Sequence, residues 1–330
     1  MGVGRRVGVI AVALVLVPIL LSSCSDDDES NPHTIAILRT VAGSDSEQFL
    51  IDGMVDAGID QKQLRILGKD IDETHPDDAD AESTVRRWVE QGAELIVALS
   101  TRSALAAMRA APKTPIIVLS TDPAATGLVE NERRPQGFVT GASYRVPADR
   151  TLSLANDAFA DHDIRRVGCL DPLDDPAAKP ARAALERGAK ALGMEFVCAT
   201  FATPEDVGNA IQELMAADVD VIVPVNAPAT AIALPQLRDV LSTTAVPVIA
   251  NQPADFAVLT LTPDSNAVYA TMGRQAARIL TGTPVRDVPV EDPGRFLLVV
   301  DLSVADRIGR TVSPEVLERA DRVVRVGANG

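Results

Sequence analysis

Aromatic residues are scarce in this chain of 330 residues: they make up 3% of it, with two tyrosines and one tryptophan. This scarcity argues against an aromatic-rich cage around a ligand. Lysine is also rare, and acidic residues outnumber basic ones by 46 to 31. The formal net charge of −15 excludes nucleic acids and anionic lipid surfaces as natural partners, because both would be repelled.

Catalytic signatures are absent as well. The chain has no G-x-S-x-G elbow, no phosphate-binding loop ending in G-K-S/T, and no cluster of cysteine and histidine. Its three histidines, His33, His75 and His162, fall in the stretch before the first strand or in loop-like acidic segments. We therefore predict that the protein is not an enzyme and that it needs no metal or cofactor.

Only three cysteines occur, and two of them, Cys169 and Cys198, lie in short apolar stretches. They form either a disulfide or a pair of buried free thiols. Bridges between adjacent parallel strands are uncommon, which slightly favours the free thiols.

The N-terminus has the pattern of an export signal. Arg5 and Arg6 precede the apolar run VGVIAVALVLVPILL. That run is shorter than the roughly 20 residues of a membrane-spanning helix, and Pro18 interrupts it. Residues 1–23 are therefore predicted to be a signal peptide.

The third cysteine follows this signal. Leu21-Ser22-Ser23-Cys24 resembles a bacterial lipobox, which implies that Cys24 becomes the N-terminus and carries a lipid. The alternative is an ordinary signal with a cysteine nearby by chance. Residues 24–33 are acidic, offer almost nothing apolar to bury and read as a solvated tether. We expect a lipid-anchored protein on the extracytoplasmic face of the cell membrane.

Beyond the tether, apolar strands alternate with amphipathic helices. TIAIL, LRIL, ELIVAL and PIIVL are each followed by a helical or turn-like segment. Continuous apolar strands indicate burial on both faces, hence parallel sheets covered by helices. The pattern restarts at residue 166, and residues 92–122 resemble residues 218–252 element by element. The prediction is an α/β protein of two similar lobes with a cleft between them.

Three motifs carry a resemblance to a known family. They are Thr121-Asp122-Pro123, Gly127-Leu128-Val129 and the stretch PQGFVTG over residues 135–141, with further similarity in residues 272–291. Together they resemble the ABC-transporter substrate-binding proteins of the tryptophan and tyrosine type. The similarity covers residues 34 to about 310.

The resemblance implies a type I periplasmic-binding-protein fold, with two Rossmann-like lobes and three hinge crossings. Lobe 1 would comprise residues 34–142 and 257–285, and lobe 2 residues 143–256 and 286–330. It further implies a monomer that binds a small molecule and delivers it to an ABC permease in the membrane. A ligand-sensing or scaffold lipoprotein with the same fold is the alternative.

Polar residues stand where the strands end, which is where ligands bind in open parallel sheets. These candidate ligand-binding residues are Arg39, Thr40, Ser100, Thr101, Thr121, Asp122, Tyr144, Asp171, Asn226 and Gln252.

Several of the candidates have a structural alternative. Ser100 and Thr101 either cap the helix that follows or also receive a ligand carboxylate at its free N–H groups. Asp122 either closes the turn that follows it or holds a ligand cation. Tyr144, at the predicted hinge, either stacks on the ligand or packs.

The chain departs from the family pattern at the positions suited to an amino group. Asn226 and Gln252 stand where the family often has acids, and Arg39 stands where it often has glutamine. A buried ammonium without a carboxylate loses a charge-assisted contact. An amino acid and a neutral or anionic small molecule therefore both remain open as ligands.

Overall fold

A computed structural model describes residues 1–2, 32–39, 46–71, 78–159 and 163–325. Residues from Pro32 onward form one compact unit. The predicted signal peptide, Cys24 and most of the tether lie outside the described residues. No helix in the described ranges is both long and apolar enough to cross a membrane.

The first lobe is built on a parallel sheet of five strands in the order β2-β1-β3-β4-β5. Its strands are β1 (His33–Arg39), β2 (Leu64–Asp70), β3 (Leu95–Ala98), β4 (Ile116–Ser120) and β5 (Val139–Ser143). Its helices are α1 (Ser46–Asp56), α2 (Ala79–Glu90) and α3 (Thr101–Ala110), with α9 (Ser265–Leu280) returning to it late in the chain.

Both faces of this sheet are buried, as the apolar strands predicted. Ile35 and Ile37 face α1 and α9, while Ala36 and Leu38 face α2 and α3. Successive strand residues point to opposite faces, so an unbroken apolar strand fills two core layers at once.

The second lobe holds two short sheets. One has the order β7-β6-β8 and the other the order β12-β11-β10-β9. Their strands are β6 (Arg166–Pro172), β7 (Glu195–Phe201), β8 (Val221–Pro224), β9 (Ile249–Ala250), β10 (Leu259–Pro263), β11 (Phe296–Asp301) and β12 (Arg322–Val324). A parallel bridge from Ile222 to Val248 joins the two sheets.

The helices of the second lobe are α4 (Ala148–Ala158), α5 (Ala178–Ala191), α6 (Val207–Ala216), α7 (Pro228–Ile232), α8 (Leu234–Leu241), α10 (Leu302–Arg307) and α11 (Pro314–Arg319). The sequence pattern predicted one helix over residues 228–241, but α7 and α8 divide it. Pro235 lies in the first turn of α8, where its missing N–H costs nothing, and this explains the break.

Two segments lie in the other lobe from the one that the sequence predicted for them. Strand β10, expected in lobe 1, pairs with β9 and, antiparallel, with β11 in the second lobe. Residues 288–291, expected in lobe 2, lie against β5: Thr140 Oγ1 donates to the Val288 carbonyl at 2.6 Å, and Ser143 N donates to the Glu291 carbonyl at 2.8 Å. Contacts between segments distant in sequence decide both placements: β10 pairs with β11, and residues 288–291 lie against β5. No local pattern encodes such contacts.

The chain passes between the lobes at three places: from β5 to α4, from β10 to α9, and from Glu291 to β11. Gly141 lies at the first of these crossings with φ of 146°, and a side chain there would collide with the Val118 carbonyl. Gln275 of α9 donates to the carbonyls of Gly141 and Pro289, both at 2.9 Å, and so ties two crossings together.

Candidate functional site

A cavity of about 190 Å³ lies where the carboxyl ends of β3 and β4 in the first lobe face the end of β8 in the second. Its walls are Leu99, Ser100, Thr101, Leu119, Ser120, Thr121, Tyr144, Ala177, Asn226, Ala227, Pro228, Ala231, Ile232, Gln252, Ser265 and Tyr269. Six of the ten candidate ligand-binding residues are among them. The reason is topological, because the carboxyl ends of parallel strands meet at one edge of each sheet.

Ser100 and Thr101 are buried at the start of α3. Ser100 and Ser103 form a capping box: Ser103 N donates to Ser100 Oγ at 3.0 Å, and Ser100 N donates to Ser103 Oγ at 3.1 Å. Thr101 Oγ1 shares a hydrogen bond of 2.8 Å with Ser120 Oγ. The capping interpretation therefore holds for Ser100, and the same N-terminus opens on the cavity.

Thr121 and Asp122 differ in their surroundings. Asp122 Oδ1 accepts a hydrogen bond from Ala125 N at 2.9 Å and lies 3.7 Å from Arg145 Nη2, so the turn role is present. Asp122 lines a side cavity of about 50 Å³ that shares Thr121 and Asn226 with the main one. Thr121 Oγ1 is buried with no hydrogen-bond partner in the described part of the chain, which leaves it available to a ligand.

The two tyrosines lie together on one wall. The Tyr144 hydroxyl shares hydrogen bonds with Ser265 Oγ at 2.7 Å and Thr262 Oγ1 at 3.1 Å. Burial, with a smaller contribution from Tyr144, raises the pKa of Tyr269 to about 12. The Tyr269 phenol is therefore protonated at neutral pH and able to donate a hydrogen bond.

Amide side chains supply the polar groups that the second lobe contributes to the cavity wall. Asn226 Nδ2 donates to the Tyr144 carbonyl at 3.3 Å, which links β8 to the hinge. Gln252 lies on the wall just after β9. No wall residue carries a charge.

Arg39 and Asp171 are not brought to the cavity, because helices hold them elsewhere. Arg39 Nε donates to Glu47 Oε2 of α1 at 2.6 Å, and this hydrogen bond raises the pKa of the guanidinium. Asp171 Oδ2 accepts from Arg182 Nη1 of α5 at 2.7 Å, while burial raises the pKa of its carboxyl. Thr40 lies outside the described residues.

Several wall residues were missed by the sequence analysis. Ser265 and Tyr269 sit four residues apart on α9, so both face the cavity from one side of that helix. Their helical spacing next to a crossing was the available signal. The apolar wall residues between Ala227 and Ile232 gave no sequence signal of a binding site, since alanine and proline in a helix predict only packing.

A sequence profile described as ABC transporter substrate binding protein matches residues 35–324. The chain belongs to this family. Members are substrate-binding proteins that work outside the cytoplasm and catalyse no reaction, so the prediction that the protein is not an enzyme is confirmed. Among the described residues, no group of histidine, cysteine and carboxylate side chains could hold a metal ion.

The chain is similar over most of its length to several known proteins. It is 26% identical over 306 residues to the tyrosine-binding protein of Clostridioides difficile strain R20291, covering 87% of each chain. A solved ABC domain in complex with L-Trp from Streptococcus pneumonia has a TM-score of 0.79 at 20% identity, covering 89% of this chain and 100% of that one. A conserved domain protein from Vibrio cholerae O1 biovar eltor has a TM-score of 0.79 at 23% identity, with 88% and 99% covered.

These likenesses agree on the architecture. The two-lobed α/β substrate-binding protein has the type I periplasmic-binding-protein fold with three crossings, as the resemblance implied.

Proposed function

We propose that this chain is a lipid-anchored solute-binding protein of an ABC importer, which captures a small molecule between its lobes and delivers it to the permease. One observation carries the proposal: the cavity has walls from both lobes and lies at the carboxyl ends of their strands. A ligand touching both lobes favours the closed arrangement by the difference between its affinities for the closed and open states.

The size and chemistry of the cavity fit a small polar solute such as an amino acid or a related compound. Its volume of about 190 Å³ lies below the range usual for drug-sized ligands. Hydroxyl and amide groups alternate with apolar side chains on the wall, so they can orient a ligand while its body is desolvated. In this proposal Ser100, Thr101, Thr121, Tyr144, Asn226 and Gln252 contact the ligand, and no cofactor is involved.

The anchoring part of the proposal rests on the sequence alone. The lipobox-like residues ending in Cys24 would place a lipid at the start of the acidic tether. The net charge of −15 is consistent with attachment through this lipid only, since the protein surface itself would be repelled by anionic headgroups. We expect the protein to act as a monomer.

A paired experiment tests binding and transport. Thermal unfolding of the purified full chain is followed with amino acids, nucleosides, sugars and small carboxylates, and the uptake of any binder is then compared in cells with and without the chain. A ligand at a hundred times its Kd stabilises by about 2.7 kcal/mol, a shift of a few degrees. Binding with loss of uptake in the deletion strain supports the importer role, whereas binding with unchanged uptake supports the sensing alternative.

A further inference from the structure

The cavity offers hydrogen bonds but no charge. Seven of its wall residues carry hydroxyl groups and two carry amides, and the rest are apolar: the polar set is Ser100, Thr101, Ser120, Thr121, Tyr144, Ser265, Tyr269, Asn226 and Gln252. A ligand enclosed here meets donors and acceptors without meeting a carboxylate or a cationic side chain.

The carboxylates nearest in sequence to the wall are engaged with the protein itself. Asp122, Asp175 and Asp264 each lie within two residues of a wall residue. Asp122 accepts from Ala125 N and Asp264 from Ala267 N. The two Asp175 oxygens accept from Ala177 N at 2.9 Å and Ala229 N at 3.0 Å. Turning one of these carboxylates toward a ligand would leave backbone N–H groups unpaired.

The remaining electrostatic feature of the wall is the N-terminus of α3, which favours a negative ligand group over a positive one. Ser100 and Thr101 place the N-terminus of α3 on the cavity, and the first turn of a helix carries partial positive charge. Thr121 Oγ1 is buried nearby with no partner in the described ranges. The helix N-terminus suits a neutral oxygen or a carboxylate rather than an ammonium group, and the Thr121 hydroxyl can donate a hydrogen bond to that same oxygen.

We propose that the cavity takes a small molecule with an apolar body and hydroxyl, carbonyl or carboxylate groups, and with no ammonium group. This inference rests on the proposed function and narrows it, because it removes free amino acids and amines from the ligand class. A buried ammonium that lacks a carboxylate partner forfeits a charge-assisted hydrogen bond, which corresponds to about a 10- to 100-fold loss of affinity.

Matched compounds test the inference. Four bodies (phenyl, 4-hydroxyphenyl, indolyl and isobutyl) are each presented with an alcohol, a carboxylate, an amine and an α-amino acid head group. The full chain in detergent is titrated with each compound by calorimetry. We expect that, for every body that binds, the alcohol or carboxylate binds at least 10-fold more tightly than the amine and the amino acid.

A charge-adding variant gives a second, independent readout. Asn226→Asp places a carboxylate on the wall and removes the hydrogen bond to the Tyr144 carbonyl. Because that loss affects every ligand alike, the affinity of amines and amino acids should improve by 10-fold or more relative to that of carboxylates. Asn131→Asp is the matched control, because it is the same substitution in an exposed turn away from the cavity. There Asn131 Oδ1 accepts a hydrogen bond from Arg133 N, which an aspartate oxygen can also accept. The control should leave all affinities unchanged.

The outcomes separate the two levels of the proposal. Tighter binding of an amino acid or amine by the unaltered chain, or no gain for amines relative to carboxylates in Asn226→Asp, overturns the inference and leaves the solute-binding function standing. Failure of every compound in this set and in the thermal screen to bind a chain that still unfolds cooperatively overturns the proposed function itself.

Discussion

Arg102, on α3 of the first lobe, donates a hydrogen bond to the main-chain carbonyl of Asp174 in the second lobe. The Arg102 side chain is only 12% exposed, and its Nη1 lies 3.8 Å from Asp78 Oδ1. Asp174 has a positive φ of 62°, a conformation that aspartate tolerates better than most residues. The contact therefore bridges the lobes beside the cavity.

Arg102→Gln should weaken the closed arrangement. A hydrogen bond from a charged donor contributes about 1.5–3 kcal/mol, and part of this is lost to solvent screening, so we expect ligand affinity to fall by about 3- to 10-fold, mostly through faster dissociation. The melting temperature without ligand should change little. Stopped-flow binding measures the rates, and small-angle scattering measures the mean separation of the lobes.

Arg86→Gln is the matched control for this change. Arg86 is exposed on α2 and pairs with Glu82 at 2.6 Å, away from the second lobe. Equal dissociation rates for the Arg102 and Arg86 variants would show that the bridge does not hold the lobes together.

The contrast between Ser100 and Asp171 shows how far the sequence predicts the site. Ser100 follows the apolar strand β3, and Asp171 lies at the end of the apolar strand β6. This position is the local signal for the carboxyl edge of a sheet, and Ser100 does line the cavity. Asp171 is instead held by Arg182, and Arg39 by Glu47, and such pairings depend on how helices pack around the sheet. Sequence patterns report strand ends well and tertiary ion pairs poorly. Tyr269 was missed for the same reason, since a helical residue reaches the site only through the docking of α9.

The stability of the protein should fall as the pH rises from about 10 to 12 in a way that depends on Tyr269. The pKa of this phenol is raised to about 12, mainly by burial, from an ordinary value of 10. Because the unfolded chain ionises first, the contribution of Tyr269 is fully present below pH 10 and is lost as the pH approaches 12. Tyr269→Phe should therefore have a shallower fall in melting temperature over this interval.

Absorbance near 295 nm offers a direct check of this titration, because the chain has only two tyrosines. The difference between the titrations of the parent protein and of Tyr269→Phe should have its midpoint near 12. A midpoint near the ordinary value of 10 for this difference signal would contradict the assignment.

Cys169 and Cys198 should be found as a disulfide rather than as the free thiols that the sequence slightly favoured. They face each other in the register of β6 and β7, with their Cα atoms 4.3 Å apart, and the structure joins them. Alkylation of the denatured chain without a reductant should label neither residue, and alkylation after reduction should label both. In Cys169→Ser, Cys198 should be labelled without reduction; labelling of both residues in the unreduced parent protein would refute the pairing.

The packing of α1 on α9 depends on two glycines that let the helix backbones touch. A side chain on Gly53 would collide with the Ala270 carbonyl, and one on Gly273 with the Leu50 carbonyl. Neither contact can yield, because both partners are main-chain atoms inside helices. We expect Gly53→Ala or Gly273→Ala to destabilise the protein by about 1–3 kcal/mol, since overpacking forces the backbones apart.

Gly208 provides the control that separates crowding from helix propensity. It also lies in a helix, α6, but a side chain there would meet no atom within 4 Å. Gly208→Ala should stabilise by about 0.5–1 kcal/mol, because alanine restricts the unfolded chain and favours helix. Urea denaturation measures all three variants. Because α9 also carries Ser265 and Tyr269 to the cavity wall, the two crowded variants should lose ligand affinity as well, whereas Gly208→Ala should keep it. A stabilised Gly273→Ala variant with unchanged binding would mean that α9 is free to shift on α1 without disturbing the site.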